Sequence, residues 1–88
     1  MLDVLKELNL EESTIVTFIS DHGFSIGERG QWGKRSLFES DARVPFIVVD
    51  PRHSSKHGTH TPAIAELVDV FPTLADLAGE LSYNGVAI

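Results

Sequence analysis

The residues that could do chemistry crowd into one stretch, S-D-H-G-F-S-I-G-E-R-G-Q-W-G-K, Ser20 to Lys34. Asp21 and His22 stand side by side at its start. Trp32 and Lys34 stand at its end. An aspartate offers a hard oxygen to a divalent cation, and a neutral histidine offers a nitrogen. Lys34, with Arg35 after it, could hold an anion near that cation. Gly23 directly after the pair permits a sharp or left-handed turn, so both side chains can face one centre. A structural reading stands beside this one. An Asp after a strand often caps a turn, and a neighbouring His can be merely polar. Trp32 could line a pocket or pack the loop down.

These residues need elements to position them. Thr14–Ile19, T-I-V-T-F-I, is apolar on both parities and rich in β-branched residues, which predicts a strand covered on both faces. Asp21 and His22 then lie just beyond its carboxyl end, where open α/β sheets bind ligands. The glycines from Gly23 to Gly33 predict a long loop without helix or strand. Residues 36–42 are compatible with one helical turn. A second buried strand is predicted over 44–51, with Pro45 at its start and Pro51 ending it. An amphipathic helix is predicted over 2–9 from Leu2, Leu5 and Leu8. Residues 9–13 and 52–60 read as loops. Thr61 and Pro62 are expected to open a helix through Ile64, Leu67, Val68 and Phe71. Pro72 should break or restart it, and Gly79 should cap it. The last nine residues carry no strong signal. Helices alternating with strands predict an α/β fold with a mostly parallel sheet. Two such strands cannot stabilise a sheet alone, so the chain is expected to be a segment of a larger α/β domain.

The totals exclude several classes. The 88 residues contain no cysteine, so no disulfide, thiolate metal site or cysteine-derived nucleophile exists here. A formal charge of −6 argues against a nucleic-acid partner. No apolar run approaches a membrane span. G-Q-W-G-K-R-S lacks the first glycine and the Ser/Thr of a phosphate-binding loop. His53, His57 and His60 lie in a polar loop without an acid among them and are expected to be solvated rather than zinc ligands. Glu28 and Arg29 could pair locally. Arg43 is expected to form a salt bridge or to be solvated.

Three blocks in order carry a resemblance. They are S-D-H-G-F-S-I-G-E-R-G-Q-W-G-K-R-S-L-F-E, then A-R-V-P-F-I-V-V-D-P, then L-V-D-V-F-P-T-L-A-D-L-A-G. Together they resemble the later part of the sulfatase catalytic domain, nearest to iduronate-2-sulfatase-like members, from about Leu5 to Gly79. The resemblance implies an alkaline-phosphatase-like α/β fold, with a mostly parallel sheet flanked by helices, and hydrolysis of sulfuric esters. It places Asp21 and His22 at a calcium ion and Lys34 on the sulfate, with a catalytic part for Lys34 and His22. Trp32 is expected at the substrate, a sulfated small molecule or glycan. Calcium prefers oxygen, so His22 could instead bond the sulfate or the leaving oxygen. Asp69 is expected to be structural.

The family's nucleophile is a formylglycine made within C/S-x-P-x-R, and no such motif occurs in these residues. Nor does the family's N-terminal Asp pair. Residues 1–88 are therefore expected to be an incomplete catalytic domain that needs the rest of it and is inactive alone. Two other readings stay open: a phospho- or phosphonate-ester hydrolase of the same superfamily, and a non-catalytic interaction module. Family members are commonly lysosomal, secreted or periplasmic.

Overall fold

The computed structural model describes residues 1–79, and the backbone of residues 82–83 and 86–87. It forms two units, Met1–Val16 with Val49–Ile88, and Thr17–Val48. No apolar side chain among the described residues is buried. The strands expected to be covered on both faces are not covered: Phe18 is 60% exposed and Ile47 52%.

In the unit of Met1–Val16 and Val49–Ile88, helix α1 spans Leu2–Glu7. It ends as Asn9 turns left-handed, with φ 55°, a region that Asn tolerates better than most residues. A short 3-10 turn, Glu11–Ser13, follows. The loop expected at 52–60 is largely a 3-10 helix, Pro51–Lys56. Asp50 makes it. Its carboxylate accepts the Arg52 backbone N–H at 3.0 Å, and Pro51 occupies the first position, where no N–H is needed. The Arg52 guanidinium returns to the same carboxylate at 2.7 and 2.9 Å. It also donates to the Leu77 carbonyl. His53 Nδ1 lies 3.0 Å from the Asp50 carboxylate, and His57 Nε2 lies 2.9 Å from the Asp50 carbonyl. Both histidines are exposed, as expected, while each keeps one contact with Asp50, His53 with its carboxylate and His57 with its carbonyl.

The Arg52 hydrogen bonds and charge hold the Asp50 carboxyl far below the ordinary carboxylate value, although burial opposes them. The unfolded chain therefore binds this proton more readily than the folded one. Asp50 contributes stability that is fully present above about pH 4 and is lost as pH falls below that value. Thermal unfolding should show a lower melting temperature for Asp50→Asn at pH 7. The variant should also lose less than the native chain between pH 5 and pH 3, for which the expected ordering is about a few degrees.

The helix expected from Thr61 starts later. Residues 61–66 form no regular element, and the Thr61 hydroxyl accepts only the Ala63 N–H, at 3.2 Å. Glu66 and Asp69 instead make a capping box: the Asp69 carboxylate accepts the Glu66 N–H at 2.8 Å. A 3-10 turn, Leu67–Asp69, leads into helix α3, Val70–Ala78. Ile64 is 93% exposed, so extending the helix back to it would gain no burial. Pro72 does not break α3. It sits at the third position, where the N–H has no helical acceptor in any case. Gly79 caps the helix with φ 85°, as expected. Asp69 is structural through its cap. Strands β5, Ser82–Tyr83, and β6, Val86–Ala87, pair antiparallel. The rest of the signal-free last nine residues lies outside the described residues.

Strand β1 spans Val16–Ile19 and pairs in a two-stranded sheet with β4, Phe46–Val49. Between them, in Thr17–Val48, the expected plain loop contains a small antiparallel hairpin. Its strands are β2, Ser25–Ile26, and β3, Trp32–Gly33, with Ser25 opposite Gly33 and Ile26 opposite Trp32. The glycines do not prevent pairing; they permit its turn. Gly27 takes φ 119°, and its N–H donates to the Gln31 carbonyl at 2.9 Å. Helix α2, Glu39–Ala42, is the single turn expected near 36–42. The described residues thus combine helices with small sheets. The β2–β3 and β5–β6 pairs are antiparallel, and a mostly parallel sheet is not seen among the described residues.

Candidate active-site loop

The candidate site lies in Thr17–Val48. Asp21 stands two residues beyond the end of β1, and Lys34 directly follows β3. The hairpin folds Lys34 back, so that its Nζ donates to Asp21 Oδ2 at 2.8 Å. The Lys34 side chain is 52% exposed and that of Asp21 76%. The lysine's hydrogen bond, then its charge, holds the Asp21 carboxyl below its ordinary value. So exposed a pair contributes little to stability. Its interest is chemical: a carboxylate and an ammonium meet in reach of solvent and of ligands.

His22 is brought beside them but is already engaged. Its Nδ1 lies 2.8 Å from the Gly23 carbonyl oxygen and its Nε2 2.9 Å from the Ser36 carbonyl oxygen. Carbonyls only accept, so either nitrogen bonds its carbonyl only when it carries a proton, and the protonated ring satisfies both. The Gly23 carbonyl foremost, and that of Ser36 after it, raise the ring's pKa above its ordinary value against the opposing effect of burial. A metal needs a lone pair from a neutral nitrogen. A coordinating His22 would therefore have to release one of these carbonyls.

Gly23 has a different use from the one its position suggests. Its φ is not left-handed. Its N–H donates to the Asp41 carbonyl at 2.6 Å, and a Cβ there would collide with the Ser40 carbonyl oxygen. Glycine is needed for a close backbone approach to α2.

Asp41 is the residue that sequence reasoning missed. It is 1% exposed and accepts three serine hydroxyls: Ser25 at 2.7 Å, Ser40 at 3.2 Å, and Ser36. These bonds, that of Ser36 first and that of Ser25 second, lower its pKa against the effect of burial. Gly23 was the one available signal, since a glycine that is not turning left-handed marks a close approach.

Trp32 is 77% exposed, and its indole ring lies over Gly27. Lys34 follows in a bend after Gly33, whose φ is 103°. Glu28 and Arg29 do not pair with each other as considered above. The Glu28 carboxylate accepts the Ile26 N–H at 2.8 Å, and the Arg29 guanidinium stacks 4.1 Å from the Phe38 ring centre. Arg43 forms an exposed pair with Glu39 at 3.6 Å.

Could these residues hold calcium? Asp21 fits as one ligand. Its carboxylate is a hard oxygen donor, and it already accepts one cation, the Lys34 ammonium. Calcium takes about six to eight oxygens. Among the described residues no group of three or more His, Cys, Asp or Glu could hold a metal. The loop fits a metal centre only as a contributor.

The comparisons with known proteins point one way. The family described as Sulfatase matches residues 1–80. Choline-sulfatase of Rhizobium meliloti (strain 1021) is 43% identical over 79 residues, which are 90% of this chain and 15% of that protein. Iduronate 2-sulfatase of Mus musculus is 35% identical, covering 90% of this chain and 18% of that protein. Arylsulfatase K of Rattus norvegicus is 40% identical over 75 residues, 85% of this chain and 13% of that protein. The chain therefore spans less than a fifth of the length of these curated relatives. No solved structure matches it.

Proposed function

From the premise that the chain belongs to the sulfatase family, we propose that it is a segment of a sulfuric ester hydrolase and supplies part of its catalytic centre. The observation that carries the site is the Lys34–Asp21 contact of 2.8 Å, made across thirteen positions at the end of β1. Asp21 would be a calcium ligand, and Lys34 would bind the sulfate. The larger alkaline-phosphatase-like sheet would come from residues beyond the described ones. The uncovered strands support that reading, since apolar surface is stabilised only once it leaves water.

The chemistry follows from charge. A sulfate ester carries anionic oxygens, and its leaving oxygen gains negative charge in the transition state. An ammonium fixed beside that charge stabilises it most where water is displaced. Bound calcium would supply a second positive charge there. The Asp21 contact places the Lys34 Nζ beside the carboxylate, open to solvent and to an incoming anion. The His22 ring, held between the Gly23 and Ser36 carbonyls, would line the site beside the sulfate or the leaving oxygen. Trp32 offers a flat apolar wall to the organic part of the ester. The substrate class would be a sulfated small molecule or a sulfated glycan; the relatives above are named choline-sulfatase, iduronate 2-sulfatase and arylsulfatase K. The nucleophile, a formylglycine in this family, would come from residues other than these.

The test compares matched aryl sulfate, aryl phosphate and phosphonate esters with calcium present. The protein containing this segment should turn over the sulfate ester preferentially, and the isolated 88 residues should turn over none. Preference for a phosphate or phosphonate ester would replace the sulfatase reading. Turnover by the 88 residues alone would refute the need for the rest of the domain. Inertness of the complete protein toward all three esters would favour an interaction module.

A further inference from the structure

Nothing in the role proposed above uses Asp41, yet it is the most deeply buried side chain among those described. An ionised carboxylate is acceptor-only. This one meets that condition with three hydroxyl donors. Its partners are not scattered. Ser25 opens β2 and lies opposite Gly33, the residue before Lys34. Ser36 offers the carbonyl on which the His22 Nε2 rests. Gly23, next to His22, donates its N–H to the backbone carbonyl of Asp41 itself. The bonds from Ser25, Ser36 and Gly23 thus each fix a segment that carries or adjoins a site residue.

We propose that Asp41 is the positioning residue of this site: it clamps the segments on either side of the hairpin, so that His22 docks on the Ser36 carbonyl and Lys34 returns to Asp21. Its effect on turnover rests on the sulfatase reading; its effect on His22 does not. The hydrogen bonds of Asp41 reach the serines and Gly23 and none reaches Asp21, so it acts through Ser25, Ser36 and Gly23. Hydroxyl bonds to a charged acceptor are roughly twice as strong as neutral ones, and in a buried site they are not shared with water. An asparagine keeps the shape but replaces one acceptor oxygen with a donor, so one serine hydroxyl must turn away.

The experiment uses the protein labelled with [15N]histidine. The Nε2–H signal, assigned to His22 by its loss in His22→Gln, should be protected from exchange by the Ser36 carbonyl. In Asp41→Asn and Ser36→Ala it should broaden or vanish, while Ser36→Thr, which keeps the hydroxyl, should restore it. Turnover of an aryl sulfate should fall by about 10–100-fold in kcat, with KM changed less. His60→Ala should change neither readout. If Asp41→Asn does not fold, Ser36→Ala carries the test, because Asp41 then keeps two hydroxyl donors. A retained His22 signal in folded Ser36→Ala would overturn the proposal, and so would retained kcat in an active protein. An altered signal in a protein that cleaves no sulfate ester would uphold it while removing the sulfatase reading.

Discussion

Lys34→Ala should lower kcat/KM for an aryl sulfate by about 10²–10³-fold in the protein that carries this segment, the range seen when one donor to developing oxyanion charge is removed. Steady-state kinetics, with thermal unfolding as the folding control, would measure it. The structure gives reasons to expect little collateral damage. Lys34 is half exposed, and its one ion pair is the exposed contact with Asp21. Such a pair contributes little to stability. The loss should therefore appear in turnover and not in melting temperature. Lys34→Arg should recover only part of it. The guanidinium keeps the charge but spreads it over a planar fork, where the ammonium is a compact point charge that a glycine-flanked turn can place. Wild-type turnover by Lys34→Ala would remove the lysine from the site.

The encounter of Lys34 with Asp21 could be anticipated from the order of residues. An acid stands at a strand's end, a lysine at the far end of a glycine-rich stretch, and any compact turn between them brings the two together. What could not be anticipated was the use to which the same stretch puts its other groups. The His22 nitrogens rest on backbone carbonyls, one of them fourteen positions away, and a carbonyl has no residue-type signature. Asp41 is hidden for a related reason. Its serine partners lie sixteen, five and one positions away, which fits no helical or strand period. Only the closed loop makes them neighbours. The helix expected at Thr61 shows the opposite error. Thr-Pro is a sound opening signal, but the Glu66–Asp69 box meets the same need later, next to residues that continue as helix. The hairpin strands β2 and β3 were hidden by the glycines that make their turn possible. The larger sheet could not be tested from two short strands, whose outward faces stay open in the described residues.

Asp21→Asn should abolish calcium-dependent thermal stabilisation at calcium concentrations that shift the melting temperature of the native protein. The asparagine retains an oxygen donor and loses the charge, and calcium affinity depends on the number of charged oxygens around it. Stabilisation by a ligand follows mass action, so a Kd weakened by about a hundredfold removes nearly all of the shift at a calcium concentration near the native Kd. His60→Ala, remote in sequence and exposed, should keep the shift. The sharper expectation comes from setting Asp21→Asn beside Lys34→Ala. In the structure the Lys34 ammonium already occupies one oxygen of Asp21, so lysine and calcium draw on the same carboxylate. Lys34→Ala should then preserve the calcium shift, or strengthen it, while turnover falls. Asp21→Asn should lose both. The double variant should turn over no more slowly than the worse single variant, because Lys34 and Asp21 are in contact and residues in contact do not act additively. A calcium shift that survives Asp21→Asn unchanged would take the metal away from this loop.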